Sequence, residues 1–417
     1  MGKVLVSGGG IAGNALAFWL SRLGHSVTVV ERFPTLRASG LQLDLRGPGI
    51  EVLKRMGLDD AFRERAVQEE GLRLVDKHGK QWAYFPANHT GKGPQSFTSQ
   101  YEIMRGDLCE ILYDATKDNA KYIFGQTIQQ LTQLEDHVEV SFSNNSTEKF
   151  DIVVGADGQG SHTRKLIFEN AEDAVRPLGV YAGYFTISRR IKKDEGYNAI
   201  GFLSTEHRGI MTRRHDPNRL QAYLFCNPNS WEGLKDPQKR GTKEEKQALT
   251  EVFKEVGWEA EDILRGMHET DDFYGDRMGV VQLDKWSNGR LGLVGDAAYG
   301  CSGMSGLGTT SSIVGAYVLA GEISKYCDTS NPISKGNITT AFAAYEETFR
   351  PYIQQIQKGL ATSNNYFDNF PSSSIGVTST YYLIRAASLL RLDFIAQYFI
   401  REKNDWELPY YRGLEIK

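Results

Sequence analysis

The chain has 417 residues, of which 40% are hydrophobic and 24% are charged, a balance typical of a globular protein and not of a disordered or fibrous one. The formal net charge of −4 excludes a strongly one-signed surface of the kind that binds nucleic acid or an anionic membrane. Apolar runs all fall short of the roughly 20 residues of a membrane-spanning helix, so we expect neither a nucleic-acid partner nor a transmembrane segment.

The first predicted elements form a βαβ unit. Residues 3–7 have the pattern of a short buried strand, a helix is predicted over 14–23, and a second strand over 26–30. The intervening residues 8–13 (Gly-Gly-Gly-Ile-Ala-Gly) match G-x-G-x-x-G between a strand and a helix, which is the context that dinucleotide binding requires. The alternative is a structural glycine turn in a chain that contains 43 glycines.

Each glycine of this motif has a separate physical role. Gly8 permits the tight turn, Gly10 lets the backbone approach a pyrophosphate, and Gly13 (with Ala12 before it) lets the helix pack closely on the sheet. The helix N-terminus supplies free N–H groups and a partial positive charge for the phosphates. Glu31 ends the second strand, where its carboxylate can accept hydrogen bonds from a ribose, in NAD or in FAD.

The residues after the second strand favour FAD. Glu31, Arg32, Arg37 and Gly40 form E-R-x-x-x-x-R-x-x-G, which resembles the FAD signature of the glutathione-reductase-type fold. The resemblance implies that Arg32 lies over the adenine or ribose and that Arg37 holds the loop that carries it. Two solvated surface arginines are the alternative.

Two later glycine clusters each follow a predicted buried strand. Residues 152–154 lead into the Gly-Ala-Asp-Gly turn at 155–158, and residues 290–294 lead into Gly295-Asp296. A long apolar helix is predicted over 309–323. A carboxylate held beside bare backbone N–H groups at a strand end suits polyol hydroxyls together with a flavin edge.

The spacing of the three clusters resembles the p-hydroxybenzoate hydroxylase-type FAD-dependent monooxygenases, the single-component enzymes of class A. Residues 155–164 match the family segment G-A-D-G-x-x-S-x-x-R. Residues 105–112 match its R-x-x-L-x-x-x-L helix, whose arginine contacts the flavin cofactor. Within the family, the chain resembles most the branch that inactivates tetracyclines.

This resemblance implies an extended FAD site. Arg105 and Asp296 would hold the pyrophosphate and ribityl part, with Asp296 on a ribityl hydroxyl, and Asp157 would shape the fold around FAD and the nicotinamide cofactor. The pyrimidine edge of the flavin would face backbone N–H groups near a helix start. The residues assigned to the cofactor are Gly8, Gly10, Ala12, Gly13, Glu31, Arg32, Arg105, Asp157, Asp296, Gly306, Leu307 and Gly308.

The implied architecture is an α/β fold. A glutathione-reductase-type, Rossmann-like FAD-binding domain is interleaved with a β-sheet substrate domain and followed by a C-terminal helical segment. The boundaries we predict are 1–75, 101–175 and 283–338 for the FAD-binding domain, 76–100 and 176–282 for the substrate domain, and 339–417 for the helical region.

Substrate and catalytic residues are less sharply marked. Arg213, Tyr223 and Phe225 lie in predicted strands of the substrate domain and are pocket candidates, although ordinary sheet packing would also explain them. Asp44 and Arg46 lie on the stretch that reaches the face of the flavin in this family. Asp44 is a candidate general acid or base, and a local structural hydrogen bond is the alternative.

One part of the family pattern is broken. Tyr299 replaces the usual histidine after Gly-Asp-Ala-Ala, and Ser302 and Gly303 occupy the places where one or two prolines are expected. Gly303 would give a more flexible wall beside the reactive edge of the flavin. Either the pocket is reshaped for an unusual substrate, or the protein has drifted from hydroxylation.

The resemblance implies that NADPH or NADH reduces FAD, that O2 adds at C4a, and that the hydroperoxide gives one oxygen atom to a small aromatic, polyketide, alkaloid or antibiotic-like substrate. The sequence has no second G-x-G-x-x-G, so the nicotinamide would dock transiently. The alternatives are a secondary-metabolism cyclase or isomerase that holds FAD structurally or works without NAD(P)H, and a flavin-bound regulatory module.

The four cysteines form no C-x-x-C pair, which disfavours a metal site or a disulfide framework. The N-terminal residues also lack the shape of a secretory signal. Both observations favour a reducing, cytoplasmic location, and we expect a monomer or a weak dimer.

Overall fold

The computed structural model describes residues 1–37, 40–87, 100–169, 174–193, 195–234, 241–327, 333–361, 371–390 and 406–415. The strands are β1 Lys3–Ser7, β2 Ser26–Glu31, β3 Gln42–Asp44, β4 Gly71–Val75, β5 Gln81–Pro86, β6 Glu102–Met104, β7 Ala120–Phe124, β8 Ile128–Gln133, β9 Val138–Phe142, β10 Thr147–Phe150, β11 Ile152–Gly155, β12 Val175–Ser188, β13 Asn198–Ser204, β14 Arg208–Asp216, β15 Arg219–Cys226, β16 Tyr274–Val281, β17 Ser287–Asn288 and β18 Leu291–Leu293. The α-helices are α1 Ile11–Arg22, α2 Pro48–Arg55, α3 Asp59–Glu64, α4 Arg105–Asp114, α5 His162–Ile167, α6 Thr242–Phe253, α7 Ala260–Glu269, α8 Asp296–Tyr299, α9 Gly308–Tyr326, α10 Lys335–Ala361 and α11 Ser374–Leu389.

The first sheet has six strands in the order β17-β18-β11-β1-β2-β7. All of its pairs are parallel except β17–β18. Its central strands β1 and β11 are short apolar runs, as expected for strands that are buried on both faces. Helix α1 packs against α9, and both belong to the core that covers this sheet. The three predicted glycine clusters follow β1, β11 and β18, so they meet at the carboxyl ends of three adjacent strands.

The second sheet has seven strands in the order β16-β12-β15-β14-β13-β4-β5. Its pairs are antiparallel except β4–β13. One face is covered by α6 and α7, whose Leu249 and Ile263 join an apolar core with Phe185. The opposite face carries a smaller cluster that includes Tyr184 and Tyr223 and is contacted by Met304 from the third glycine cluster. This inner face is therefore the one that looks toward the FAD-binding domain.

Two smaller sheets complete the fold. Strands β8, β9 and β10 form an antiparallel sheet, and β3 pairs with β6 in a two-stranded ribbon. The C-terminal region joins both large units, since α10 packs on α9 and α11 packs on β5. Among the described residues, none of the helices combines the length and apolar character that crossing a bilayer requires.

The predicted α/β fold is confirmed, and several element limits are close to those predicted. The helix predicted over 14–23 is α1, and the helix predicted over 309–323 is α9. Strand β4 lies within the predicted FAD-binding segment 1–75 but pairs with β13 and β5 in the seven-stranded sheet. The domain boundaries stay a prediction. The parts of the predicted domains at 88–99, 170–173, 235–240, 328–332, 362–370 and 391–405 lie outside the described residues.

Candidate flavin and substrate site

The first glycine cluster is packed so tightly that side chains are excluded at two positions. Gly8 has a φ of +113°, and a Cβ atom there would lie 2.6 Å from the carbonyl oxygen of Ala156. A Cβ on Gly13 would lie 1.9 Å from the carbonyl oxygen of Gly8, so α1 can approach β1 only because Gly13 has no side chain. At Gly10, which precedes α1, the nearest atom to such a Cβ is the Arg105 Nη2, 3.7 Å away. The N-terminus of α1 therefore faces the Arg105 guanidinium, and the two positive groups together favour binding of an anion.

Glu31 braces this loop. One carboxylate oxygen accepts a hydrogen bond from the Gly9 N–H at 2.8 Å, and the other accepts one from the Phe33 N–H at 3.0 Å. Glu31 is therefore held at the end of β2 beside the glycine turn. Its contact with a ribose stays a prediction.

Three arginines converge near the start of α1 and α4. The Arg32 guanidinium lies 4.9 Å from the Phe33 ring centroid, and that of Arg37 lies 5.5 Å from the same ring and 5.5 Å from the Tyr274 ring. Partial burial and the positive charges of Arg105 and Arg32 lower the pKa of Arg37. Like charges brought together in this way are compensated by an anion, so the cluster fits a pyrophosphate.

The second glycine cluster has an internal, structural role. The Asp157 carboxylate accepts hydrogen bonds from the Thr163 N–H at 2.9 Å and from the Thr163 hydroxyl at 3.0 Å, and it also binds the Ser161 hydroxyl. The buried Arg164 donates to the carbonyls of Ala297 at 2.9 Å and Gln159 at 2.7 Å. Asp157 thus shapes the turn, and Arg164 ties the turn to the third cluster.

The third cluster presents a carboxylate and open backbone. Asp296 starts α8 and is accessible, while the next three residues are buried. Desolvation by the surrounding protein and the negative charge of Asp276 raise the pKa of Asp296 to about 6, and the positive charge of Arg105 opposes this shift. A Cβ on Gly306 or Gly308 would meet nothing within 4 Å, so a flat ring can approach the backbone at the start of the 19-residue helix α9. The glycine turn before α1, the Asp296 carboxylate and the open backbone at Gly306 and Gly308 fit FAD.

The segment that lacks the expected proline is strained. Ser302 has φ 61° and ψ 148°, a region that is almost restricted to glycine, and its side chain caps the short turn Gly303–Ser305. A Cβ on Gly303 would lie 3.5 Å from the Met278 side chain and 3.9 Å from the Tyr184 hydroxyl. The Tyr184 hydroxyl therefore approaches the position at which the family has proline.

Aromatic side chains form the wall opposite this segment. The ring of Tyr184 lies 5.5 Å from that of Tyr223, 6.2 Å from that of Phe225 and 6.3 Å from that of Tyr274. Phe225 is partly exposed, whereas Tyr223 is buried and its hydroxyl donates to Gln221 Oε1 at 3.1 Å. The ring of Tyr223 belongs to the wall, but its hydroxyl bonds within the protein.

Arg213 lies in a buried ion cluster at the edge of the same face. Its Nε and Nη2 atoms each contact a carboxylate oxygen of Glu69 at 2.8 Å, and Nη2 contacts Glu102 Oε2 at 2.5 Å. The Gln42 side-chain amide donates to the same Glu102 oxygen. The exposed fractions of the three charged residues are 7%, 1% and 0%. These contacts favour an internal role for Arg213, and a direct contact with substrate stays a prediction.

Asp44 and Arg46 are paired with each other. Arg46 Nη2 lies 2.8 Å from Asp44 Oδ2. The Arg46 N–H donates to the Thr310 hydroxyl at 2.9 Å, and that hydroxyl donates to the Arg46 carbonyl at 3.2 Å. The segment that contains Asp44 and Arg46 is therefore attached to the first turn of α9. It lies beside Gly306–Gly308, where the family resemblance predicts the flavin ring.

A family model described as an FAD binding domain matches residues 1–330. The chain belongs to the FAD-binding family of flavin monooxygenases. The FAD-dependent monooxygenase asL4 of Sarocladium schorii is 45% identical over 99% of this chain and 98% of its own. The flavin-dependent monooxygenase eupH of Phoma sp is 41% identical over 84% of each chain. The crystal structure of the tetracycline destructase Tet(51) is 29% identical, with a TM-score of 0.76 over 99% of each chain.

The expected class A resemblance is confirmed, but sequence reasoning missed two residues of this monooxygenase. Tyr184 is the centre of the aromatic wall, and period-2 alternation along β12 would have indicated it. Asp276 faces the same side, opposite Ala182 on β12, and makes no hydrogen bond or ion pair with the residues that the structure describes. Burial raises the pKa of Asp276. No local motif surrounds Asp276, so only the sheet pairing shows that it faces the cofactor side.

Proposed function

We propose that this monooxygenase consumes NADPH or NADH and inserts one oxygen atom of O2 into a small organic substrate. The observation that supports this most directly is the position of the aromatic wall of Tyr184, Tyr223 and Phe225. It lies on the sheet face that is contacted from the third glycine cluster, so a flat substrate can be held between the wall and the cofactor.

The protein would bind and orient both partners. Arg32, Arg37 and Arg105 would hold the pyrophosphate, and Asp296 would accept a hydrogen bond from the ribityl chain. When bound, FAD would supply the redox chemistry, taking a hydride from the nicotinamide and activating O2 at C4a. The buried wall would keep water away from the reacting atoms.

The proposed substrate class is aromatic or polyketide-like, since the wall offers aromatic rings and the thioethers of Met278 and Met304. Because the sequence contains a single G-x-G-x-x-G, we propose transient docking of NADPH or NADH. A cytoplasmic location and a monomeric or weakly dimeric state stay predictions.

The decisive experiment is turnover of a candidate aromatic substrate under ¹⁸O2 with NADPH. We expect substrate-stimulated NADPH oxidation and one ¹⁸O atom in the product, measured by mass spectrometry. As a control, Tyr184→Phe keeps the ring, while Tyr184→Ala removes it. We expect the alanine variant to uncouple NADPH oxidation from product formation more strongly than the phenylalanine variant.

One observation favours a cyclase or isomerase, namely that the strained Ser302 and Gly303 stand where the family has proline. It predicts full-rate product formation under anaerobic conditions, with oxidised FAD and without NADPH. The proposal of a monooxygenase reaction fails if that is observed.

A further inference from the structure

Tyr184 carries a buried hydroxyl group that the protein itself does not use. The residue is only 7% exposed, and its hydroxyl makes no hydrogen bond with the residues that the structure describes. The neighbouring Tyr223 is similarly buried, but its hydroxyl donates to Gln221 Oε1 at 3.1 Å. Because nearly all buried polar groups in proteins have a hydrogen-bond partner, an unbonded hydroxyl in the aromatic wall indicates a contact with a ligand.

The space beside this hydroxyl is open at Gly303. Apart from its chain neighbours, a Cβ atom on Gly303 would meet two atoms of the described residues within 4 Å, namely the Met278 methyl carbon at 3.5 Å and the Tyr184 hydroxyl oxygen at 3.9 Å. Both are ordinary van der Waals distances, and Gly303 is exposed, so an additional atom fits there without a clash. Where the family has proline, this chain therefore has room for a ligand atom next to a hydroxyl group.

The surroundings of the hydroxyl favour a neutral hydrogen-bond acceptor. Tyr184 pairs with Tyr274, and Ala182 pairs with Asp276, so Tyr184 and Asp276 are diagonal neighbours on one face of β12 and β16. Burial, together with the negative charge of Asp276, raises the pKa of Tyr184 well above its usual value, so the hydroxyl keeps its proton and can donate it to a hydrogen bond. The same negative charge repels a second anion. A neutral carbonyl oxygen therefore fits this position better than a phenolate or a carboxylate.

We propose that the Tyr184 hydroxyl donates a hydrogen bond to a carbonyl oxygen of the substrate, in the space beside Gly303, and that it thereby selects aromatic ketones. This inference rests on the monooxygenase function proposed above and names the substrate class of the same site. Tyr184 is then a specificity-determining residue, because a substrate without the carbonyl oxygen leaves a buried hydroxyl unpaired. The apolar part of the ketone would lie against Met278 and the ring of Phe225, which belong to the same apolar cluster as Tyr184.

The test is the binding of two probes of the same shape to the protein loaded with oxidised FAD, measured by the change in flavin absorbance. The probes are 2-acetylnaphthalene, a ketone, and 2-isopropenylnaphthalene, in which a CH2 group replaces the carbonyl oxygen. We expect the preference for the ketone, given by the ratio of the two dissociation constants, to fall about fivefold in Tyr184→Phe, the size of one net hydrogen bond. Tyr223→Phe is the matched control, because the Tyr223 hydroxyl already bonds to Gln221, and it should leave the ratio unchanged.

A second variant and a spectroscopic signal separate a direct hydrogen bond from a structural effect. Gly303→Ala places a methyl group in the space proposed for the carbonyl oxygen, so it should lower the ratio although Tyr184 is intact. Gly160→Ala, at a position where a Cβ meets nothing within 4 Å, should not lower it. In infrared difference spectra with the ketone labelled as ¹³C=O, we expect a lower carbonyl-stretch frequency in the wild type than in Tyr184→Phe, because a hydrogen bond weakens the C=O bond.

The proposal is wrong if the wild type and Tyr184→Phe have the same ratio or the same carbonyl frequency, or if Tyr223→Phe causes an equal loss. Wild-type protein that binds neither probe would also reject the aromatic ketone as the ligand class. None of these measurements needs turnover. A ketone that binds through Tyr184 but gains no ¹⁸O would therefore reject the monooxygenase reaction and keep the hydrogen bond, whereas ¹⁸O incorporation with an unchanged ratio would do the opposite.

Discussion

The six-stranded and seven-stranded sheets build their parts of the site in opposite ways. On the first sheet, each functional group follows its strand by a few residues, and Gly8, Asp157 and Asp296 all lie at the carboxyl ends of adjacent parallel strands. At the second sheet, Arg213 meets Glu69 and Glu102, which lie 144 and 111 residues earlier in the chain. A cofactor shared by a family can be held by local motifs, whereas a pocket for one substrate depends on long-range packing.

The largest expected effect tests the first half of this contrast. Gly13→Val should abolish FAD binding, because even a Cβ at this position would lie 1.9 Å from the Gly8 carbonyl oxygen and would push α1 off β1. The measurement is the FAD content of the purified protein by absorbance. Gly160→Ala is the control, since a Cβ at Gly160 meets nothing within 4 Å, and it should retain the cofactor. Equal FAD contents would show that the turn is not the anchor.

The second prediction tests the long-range cluster. Glu69→Gln should lower the free energy of unfolding by about 3 kcal/mol, because it removes the main counter-charge of the buried Arg213. Glu251→Gln is the matched control, because it breaks an exposed ion pair with Lys254, and its effect should be much smaller. Urea denaturation of both variants measures the difference. Equal losses would mean that the buried ion pair contributes no more to stability than an exposed one.

The third prediction concerns the segment between the two sheets. Ser302→Gly should raise the free energy of unfolding by about 1 kcal/mol, because it relieves a backbone conformation that serine disfavours. Asn145→Gly is a matched control with φ 64° in a hairpin turn, where asparagine is well tolerated, so its gain should be smaller. If Ser302→Gly also lowers product yield per NADPH, the strain serves the reaction. If the gain in stability from Ser302→Gly is no larger than that from Asn145→Gly, backbone strain at Ser302 does not lower the stability of the protein.

The smallest effect is electrostatic and crosses the cleft between the sheets. Asp276→Asn should lower the pKa of Asp296 from about 6 toward its ordinary value, because the repulsion from Asp276 disappears. A carboxyl group with a raised folded-state pKa binds more protons in the folded state, so its contribution to stability declines as the pH rises from about 4 to 6. Because the pKa of Asp276 is also raised, the pKa of Asp296 is measured directly, from the pH dependence of its carboxyl-carbon NMR signal in the wild type and in Asp276→Asn. An unchanged pKa of Asp296 would place Asp276 too far away to matter.

The contrast also explains what the sequence could predict. The βαβ turn, the Asp157 turn and α9 were predicted because periodicity and glycine spacing are local signals. Arg213 was singled out as a pocket residue, yet its partners Glu69 and Glu102 carry no motif, and only the pairing of distant strands brings them together. Asp276 was missed for the same reason, whereas the period-2 alternation along β12 could have indicated Tyr184. The pairing of β4 with β13 was not predicted, because a parallel pairing with a distant strand leaves no local signal near residue 75.

The order of strands in the first sheet has a consequence for synthesis. Strand β11 receives its outer neighbour β18 only at residues 291–293, after every strand of the second sheet has been translated. Until then a nascent chain holds β11 as an open parallel edge, which other chains can add to. Folding of the seven-stranded sheet does not cover this edge, because only β18 pairs with it. We therefore expect ribosome-bound chains that end before residue 291 to aggregate and to bind no flavin.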